Sequence, residues 1–303
     1  MTDLRETIGN LGVGPADAGD LAVAAGAALE GGRAAVAWFE RDDLEVDDRG
    51  RGPVTAADRD AHRAILGRLD RERPDDAVVS EEGIRDRRER AGGRLWVVDP
   101  LDGTREFIDG IDEFSVMVGL AVDGEARLGA VLRPALDRLY LGGVGLGAWE
   151  VSGAAGGPAP RTKELRVEER SPQDPIRFVR SRSHPDEAIR RLEATLGEIV
   201  VILSGSVGTK CAKIAVGEAD LYVHPVPYLK EWDTCAPEAI LRGAGGGSPT
   251  AAASGSATAG PTPHSPAGSS RRIRRPGDGS RRSWKACSRY RKSRNENDLT
   301  GDT

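Results

Sequence analysis

The sequence is short of aromatic residues, of cysteine and of long apolar runs. Phe, Trp and Tyr make up only 4% of the 303 residues, so any core must be largely aliphatic. The three cysteines, Cys211, Cys235 and Cys287, are odd in number, far apart and form no Cys-x-x-Cys pair. That argues against a disulfide framework or a zinc knuckle and predicts a reducing, cytoplasmic setting. No apolar stretch reaches the roughly 18 residues that a membrane-spanning helix needs. The start, Met1-Thr2-Asp3-Leu4-Arg5-Glu6, lacks the basic segment and apolar run of a secretory signal.

Charge is nearly balanced overall, with 48 acidic and 43 basic residues and a net of −5. The average conceals a division. Residues 248–303 carry a net +7, and residues 1–247 a net −12. The basic stretch is made of Ala, Gly, Ser, Thr and Pro followed by an Arg-rich run. Such a composition buries too little apolar surface to offset chain ordering, so 248–303 is expected to be a disordered tail.

Elsewhere the pattern alternates between helix and strand. Leu21, Ala24, Ala25, Ala28 and Leu29 share one face of a helix over 17–38, which Gly31-Gly32 should weaken or break. A charged loop is expected over 40–51. Thr55 reads as a helix N-cap with Asp58 three residues on, where the usual partner is Glu or Gln. Apolar runs at 77–80 and 95–98 predict short buried strands. A β-meander is expected with strands at 114–122, 127–132, 138–141 and 147–151. After it come strands at 176–179, 199–203 and 219–223, with helices at 186–197, 206–216 and 232–243. The Gly pairs at 31, 92 and 142 are expected to be turns. This order predicts a layered α/β or α+β sandwich, with an N-terminal α+β unit over 1–152 and an α/β unit over 153–247.

The chemistry-bearing residues gather at strand ends. Glu81 and Glu82 follow one short strand, and Asp99-Pro100-Leu101-Asp102-Gly103-Thr104 follows another. Carboxylates suit a hard cation such as Mg²⁺, and Leu101 can add its carbonyl. Thr104 should begin a helix whose N-terminus would seat a phosphate. Spacing alone fits equally well a pair of aspartates that merely cap a turn.

Taken together, four segments resemble the inositol monophosphatase superfamily of metal-dependent, lithium-sensitive phosphatases. They are Pro53-Val54-Thr55-Ala56-Ala57-Asp58, Ser80-Glu81-Glu82, Trp96-Val97-Val98-Asp99-Pro100-Leu101-Asp102-Gly103-Thr104, and Glu231-Trp232-Asp233-Thr234-Cys235-Ala236-Pro237. They occur in the family's order, and the resemblance covers roughly residues 17–247. It implies the family's αβαβα fold. Ser181-Arg182-Ser183-His184, Gly205-Ser206-Val207-Gly208-Thr209-Lys210 and Lys230-Glu231-Trp232-Asp233 are similar to the 3′(2′),5′-bisphosphate nucleotidase branch. Members of that branch remove the 3′-phosphate of adenosine 3′,5′-bisphosphate and serve sulfate assimilation.

The resemblance implies roles by position. Glu81, Asp99 and the Leu101 carbonyl would hold one Mg²⁺. Asp99, Asp102 and Asp233 would hold a second, and a third would sit near Glu81. Asp58 and Thr104 would orient and deprotonate the attacking water, with Glu81 also counted in the catalytic set. Gly103, Thr104, His184, Ser206 and Lys210 would contact the nucleotide substrate. Inositol-1-monophosphatase and fructose-1,6-bisphosphatase activities remain alternatives within the family. Nucleic-acid binding through the Arg-rich tail, with Trp284 and Tyr290 for stacking, is a reading of another class. The acidic body weighs against it, and oligomeric state stays open. After Gly247 the sequence departs from the family pattern, and the family's final elements are expected to be missing; a reading-frame change near Gly247 would produce such a tail.

Overall fold

The computed structural model describes residues 2–246 and 284–288, apart from 40, 42, 43, 45, 49–52, 86–92, 157–159, 168, 169, 172, 184–186 and 226–228. Helix α1 spans Thr2–Gly9 and α2 Pro15–Val36. The second helix runs through Gly31-Gly32 instead of breaking there. A Cβ on Gly31 would meet Ile65 at 2.7 Å, and one on Gly32 would meet Leu132 at 2.4 Å. The pair is therefore a close-packing surface, which corrects the expectation of a break or a turn. Strands β1 (Val46–Asp48) and β2 (Pro53–Thr55) pair antiparallel across what reads in sequence as a charged loop.

Thr55 caps α3 (Ala56–Glu72). Then follow β3 (Ala77–Ser80), β4 (Gly83–Arg85), β5 (Arg94–Asp102), α4 (Thr104–Ile108), β6 (Ser115–Val122), β7 (Glu125–Arg133), β8 (Arg138–Gly143), β9 (Gly147–Ser152) and β10 (Arg161–Glu164). The β-meander expected from sequence is present as β6 to β9, and Gly142-Gly143 lie inside β8 rather than in a turn. The eight strands form one sheet in the order β10-β9-β8-β7-β6-β5-β3-β4. Strands β3 and β5 pair in parallel, so their C-terminal ends, which carry the acids, emerge side by side.

The second half supplies β11 (Ile176–Ser181), α5 (Glu187–Glu193), β12 (Ile199–Ser204), α6 (Val207–Ala215), β13 (Leu221–Pro225) and α7 (Glu231–Gly243). A last strand, β14 (Trp284–Ser288), pairs antiparallel with β13 and completes a sheet ordered β12-β11-β13-β14. These five residues lie in the stretch expected to be wholly disordered, and that expectation is corrected for them. A sheet edge offers a row of unpaired N–H and C=O groups that can recruit a strand whatever its composition. The rest of 247–303 lies outside the described residues.

Side-chain alternation divides the core into layers. Trp96 and Val98 face α2 and α3 among the aliphatic residues of the main cluster. Val97, on the opposite face, packs with Cys235 and Ala239 of α7. Helices α6 and α7 fill the space between the sheets, where Met117 and Val131 meet Val179 and Tyr222. On the far side, Phe178 and Val223 pack against Ile189 of α5. The order helix, sheet, helix, sheet, helix is the αβαβα sandwich expected from the sequence.

One row of residues fixes where α7 lies. Gly119, Gly129 and Gly142 are cross-strand neighbours on β6, β7 and β8. A Cβ on Gly119 would meet Ala236 N at 2.9 Å, one on Gly129 would meet Ala236 Cα at 2.5 Å, and one on Gly142 would meet Ile240 Cα at 3.0 Å. The backbone of α7 rests directly on this row, which places its first turn beside the end of β5.

Candidate active site

The end of β5 begins with a geometric problem. In a regular strand, residues three apart point to opposite faces. The β5–β6 pairing shifts register between Asp99 and Asp102, and this irregularity re-aims the chain so that both carboxylates face one point. Asp99 Oδ1 accepts from Leu101 N–H at 3.1 Å, which holds the turn. Gly103 then adopts φ +92°, a left-handed conformation that glycine takes without strain. A Cβ there would come within 3.0 Å of Ser206 Cβ and 3.1 Å of Glu113 O. Helix α4 begins at Thr104, as expected, but is only five residues long.

Two further acids arrive by the same device. Asp58 and Asp233 each occupy the third position of a helix and reach back to the N-cap. Thr55 N–H donates to Asp58 Oδ2 at 2.7 Å and the Thr55 hydroxyl does so at 2.6 Å. Lys230 N–H donates to Asp233 Oδ2 at 2.6 Å. In both, one oxygen is tied down and the other is left for the site. Asp99, Asp102 and Asp233 offer oxygens that all lie within 4.8 Å of one another. The Thr104 hydroxyl lies 3.2 Å from Asp58 Oδ1 and 3.1 Å from the Leu101 carbonyl, and donates its one proton to either.

Glu81 sits at the tip of the β3–β4 hairpin, where it is exposed. Its N–H extends the parallel ladder to Val98 O at 3.2 Å. The tight trio does not include it. It belongs to the group electrostatically, however. Its carboxyl is raised to about 8 by loss of hydration among the packed acids, then by the charges of Asp233, Glu82, Asp102 and Asp58. Desolvation followed by Asp102 raises Asp233 to about 7. Asp99 is pushed well up by burial and then by Glu81, Asp102 and Asp233. Burial also raises Asp58, against the hydrogen bonds from Thr55 and Thr104. These shifts have one meaning: negative charge is crowded here with too little compensating positive charge.

Ser206 stands at the N-cap of α6, and Lys210 lies one turn along that helix. Both are buried. Ser206 caps α6 by accepting from Thr209 N–H at 2.8 Å, and it shares a hydrogen bond with Ser115 Oγ at 3.0 Å. Lys210 Nζ donates to the Gly205 carbonyl and sits 5.2 Å from the centre of the Tyr222 ring. Both act on Asp102, Ser206 by a side-chain hydrogen bond and Lys210 by its charge. Asp102 Oδ2 accepts from Gly208 N–H at 2.8 Å and Ser115 Oγ at 3.2 Å. Burial raises its pKa, and the Lys210 charge is the foremost influence opposing that. His184 lies outside the described residues.

Sequence reasoning missed several supports. Ser115 and the Gly208 N–H reach Asp102 only through tertiary contact. Glu106 accepts from the Ser183 hydroxyl, and Glu113 accepts from Gly205 N–H at 3.1 Å and pairs with Arg182 at 2.7 Å. These bonds tie α4 and the segment after it to the end of β11 and the start of α6. No local pattern marks them.

Comparison with known proteins places the chain in a family. The family model described as the inositol monophosphatase family matches residues 18–273. The 3′(2′),5′-bisphosphate nucleotidase CysQ of Salmonella typhimurium is 37% identical over 198 residues, covering 64% of this chain and 74% of that protein. The 3′-phosphoadenosine 5′-phosphate phosphatase of Mycobacterium leprae is 33% identical over 239 residues, covering 75% and 78%. The crystal structure of CysQ from Bacteroides thetaiotaomicron superimposes with a TM-score of 0.62 at 35% identity, covering 75% of this chain and 87% of that one. The chain belongs to the inositol monophosphatase family and is a phosphatase of that family. The match runs past residue 247, further than the sequence motifs reach. Among the described residues, no helix is long and apolar enough to cross a membrane.

Proposed function

We propose that the chain is a Mg²⁺-dependent phosphomonoesterase that hydrolyses the 3′-phosphate of adenosine 3′,5′-bisphosphate, giving AMP and phosphate. One observation carries the reading: Asp99, Asp102 and Asp233 converge within 4.8 Å beside the Thr104–Asp58 hydrogen bond. The donor set is all oxygen, which suits a hard divalent cation. The raised pKa values agree, because a cation supplies the positive charge the crowded carboxylates lack. Glu81, Asp99 and the Leu101 carbonyl would hold one Mg²⁺, and Asp99, Asp102 and Asp233 a second, with a third near Glu81. When bound, the ions supply the charge that activates water and stabilises the leaving oxygen of an in-line phosphoryl transfer.

The chain's own groups handle the proton. The Thr104 hydroxyl, donating to Asp58, is free to accept from a water O–H. A proton leaving that water passes to Thr104 as the Thr104 proton passes to Asp58. The raised pKa of Asp58 makes it the better base. Gly103 and Thr104 border the carboxylates where a phosphate would approach. Lys210 and Ser206 act one layer back, through Asp102. In this reading residues 1–152 supply the water-activating groups, and 153–247 supply Asp233 and the nucleotide side of the cleft.

The names of the Salmonella and Mycobacterium relatives support the substrate. A phosphate-release panel tests it, with adenosine 3′,5′-bisphosphate, inositol 1-phosphate and fructose 1,6-bisphosphate, each with and without Mg²⁺. The bisphosphate nucleotide should be hydrolysed fastest, only with Mg²⁺, and millimolar Li⁺ should suppress it. Faster turnover of the sugar or inositol phosphate would overturn the substrate assignment.

A further inference from the structure

The other acids of the cluster are fixed by main-chain donors, but Glu81 rides on a two-residue hairpin tip. At that tip it is repelled by Asp233, Glu82, Asp102 and Asp58.

His62 lies beneath it. The ring is half-buried on α3, one helical turn beyond Asp58 on the same face. His62 Nδ1 and the fully buried Ser80 Oγ share a hydrogen bond of 2.9 Å. The Cε1–Nε2 edge of the ring faces Gly83, where a Cβ would lie 3.8 Å from Cε1 and 3.9 Å from Nε2. Ser80 and Gly83 are the paired residues that close the hairpin around Glu81-Glu82. One imidazole therefore bonds one end of the turn and faces the other, and through α3 it links that turn to the helix of Asp58.

We propose that His62 is a positioning residue that sets Glu81 toward the metal site through its hydrogen bond to Ser80. This rests on Glu81 being a metal ligand. Partners bonded directly to a ligand typically matter about 10- to 100-fold in metal affinity; His62 acts one residue further out, through Ser80, so the low end of that range is expected.

The test measures Mn²⁺ binding to the full-length, substrate-free protein by the EPR signal of free Mn²⁺, with thermal melting alongside. His62→Ala should weaken binding of one ion about tenfold. Ser80→Ala should do the same, and the double variant should be no worse than either. His62→Asn, whose amide occupies the place of Nδ1, should restore binding. His62→Gln, whose amide reaches the place of Nε2, should not. Glu81→Gln is the reference. If it weakens Mn²⁺ binding while His62→Ala and Ser80→Ala leave it unchanged, the positioning role is wrong. Equal rescue by Asn and Gln would also refute it, because the Nδ1 bond would then be immaterial. If Glu81→Gln itself binds Mn²⁺ normally, the ligand assignment fails and the proposal falls with it.

Discussion

The two sheets of this molecule are covered very differently. The eight-stranded sheet has helices on both faces, and β5 at its heart is buried from Trp96 through Leu101. The four-stranded sheet ends in β12, whose Val200, Val201 and Leu203 are 49%, 40% and 44% exposed. Both regions are aliphatic, so composition does not separate them. The chemistry gathers where layers press from two sides, because only there can bulges, caps and close backbone contacts hold like charges together. The exposed strand carries apolar surface but no such constraint.

Substitutions can break or sharpen this contrast. The largest effect should come from Asp102→Asn. The amide oxygen can still accept from Gly208 N–H, so the fold should persist. Turnover should fall on the order of a thousandfold, as when one preorganised charge-stabilising group is removed. The metal-free protein should melt no lower than the parent, because a repelled carboxylate has gone. A variant that melts lower and keeps activity would mean that Asp102 is a structural cap.

Next comes the packing beneath α7. Gly129→Val would drive a side chain into Ala236, whose Cα would lie 2.5 Å from the new Cβ. Overpacking of this kind costs about 1–3 kcal/mol. Urea unfolding should show that loss, and activity should fall as well, because Asp233 travels with the helix. Loss of stability with full activity would separate the glycine row from the site.

A smaller effect concerns pH. Asp233 and Glu81 titrate near 7 and 8 in the folded chain, against about 4 when unfolded. Between those values the folded, metal-free protein binds more protons than the unfolded one. Stability should therefore decline as pH rises from about 5 to 8. Melting scans across that range should show the decline, and saturating Mg²⁺ should remove it. The decline should be shallower in Asp102→Asn, where Asp233 and Glu81 lose a repelling neighbour. A slope unaffected by Mg²⁺ would place its origin elsewhere.

The smallest effect is expected on the exposed strand. Leu203→Thr should change stability by about 0.5 kcal/mol or less and leave turnover untouched. A large effect on either would mean that β12 is covered in solution.

Much of this architecture is legible in the sequence, and the limits are instructive. Strands and helices with local signatures, such as 77–80 and the Thr55 cap, follow from periodicity and capping chemistry. The four motifs point to one site because each sits at the end of its own element. What cannot be read is whatever arises between elements. The bulge that brings Asp99 and Asp102 together depends on pairing with β6. Gly31-Gly32 and Gly142-Gly143 look like turns until their partners press against them. Nothing local in the sequence shows that Lys210 is buried in α6 with its charge acting on Asp102. The pairing of β14 was hidden because an edge strand is chosen by the open edge more than by its own side chains.

The central claim is that Asp99, Asp102 and Asp233 form one cation site. Crystals of the full-length protein soaked in Mn²⁺ offer the most direct measurement, since Mn²⁺ is visible by anomalous scattering. An anomalous peak should appear among those three carboxylates, and it should vanish in Asp102→Asn crystals soaked in the same way. No peak there, in protein that releases phosphate under the same Mn²⁺ concentration, would contradict the account.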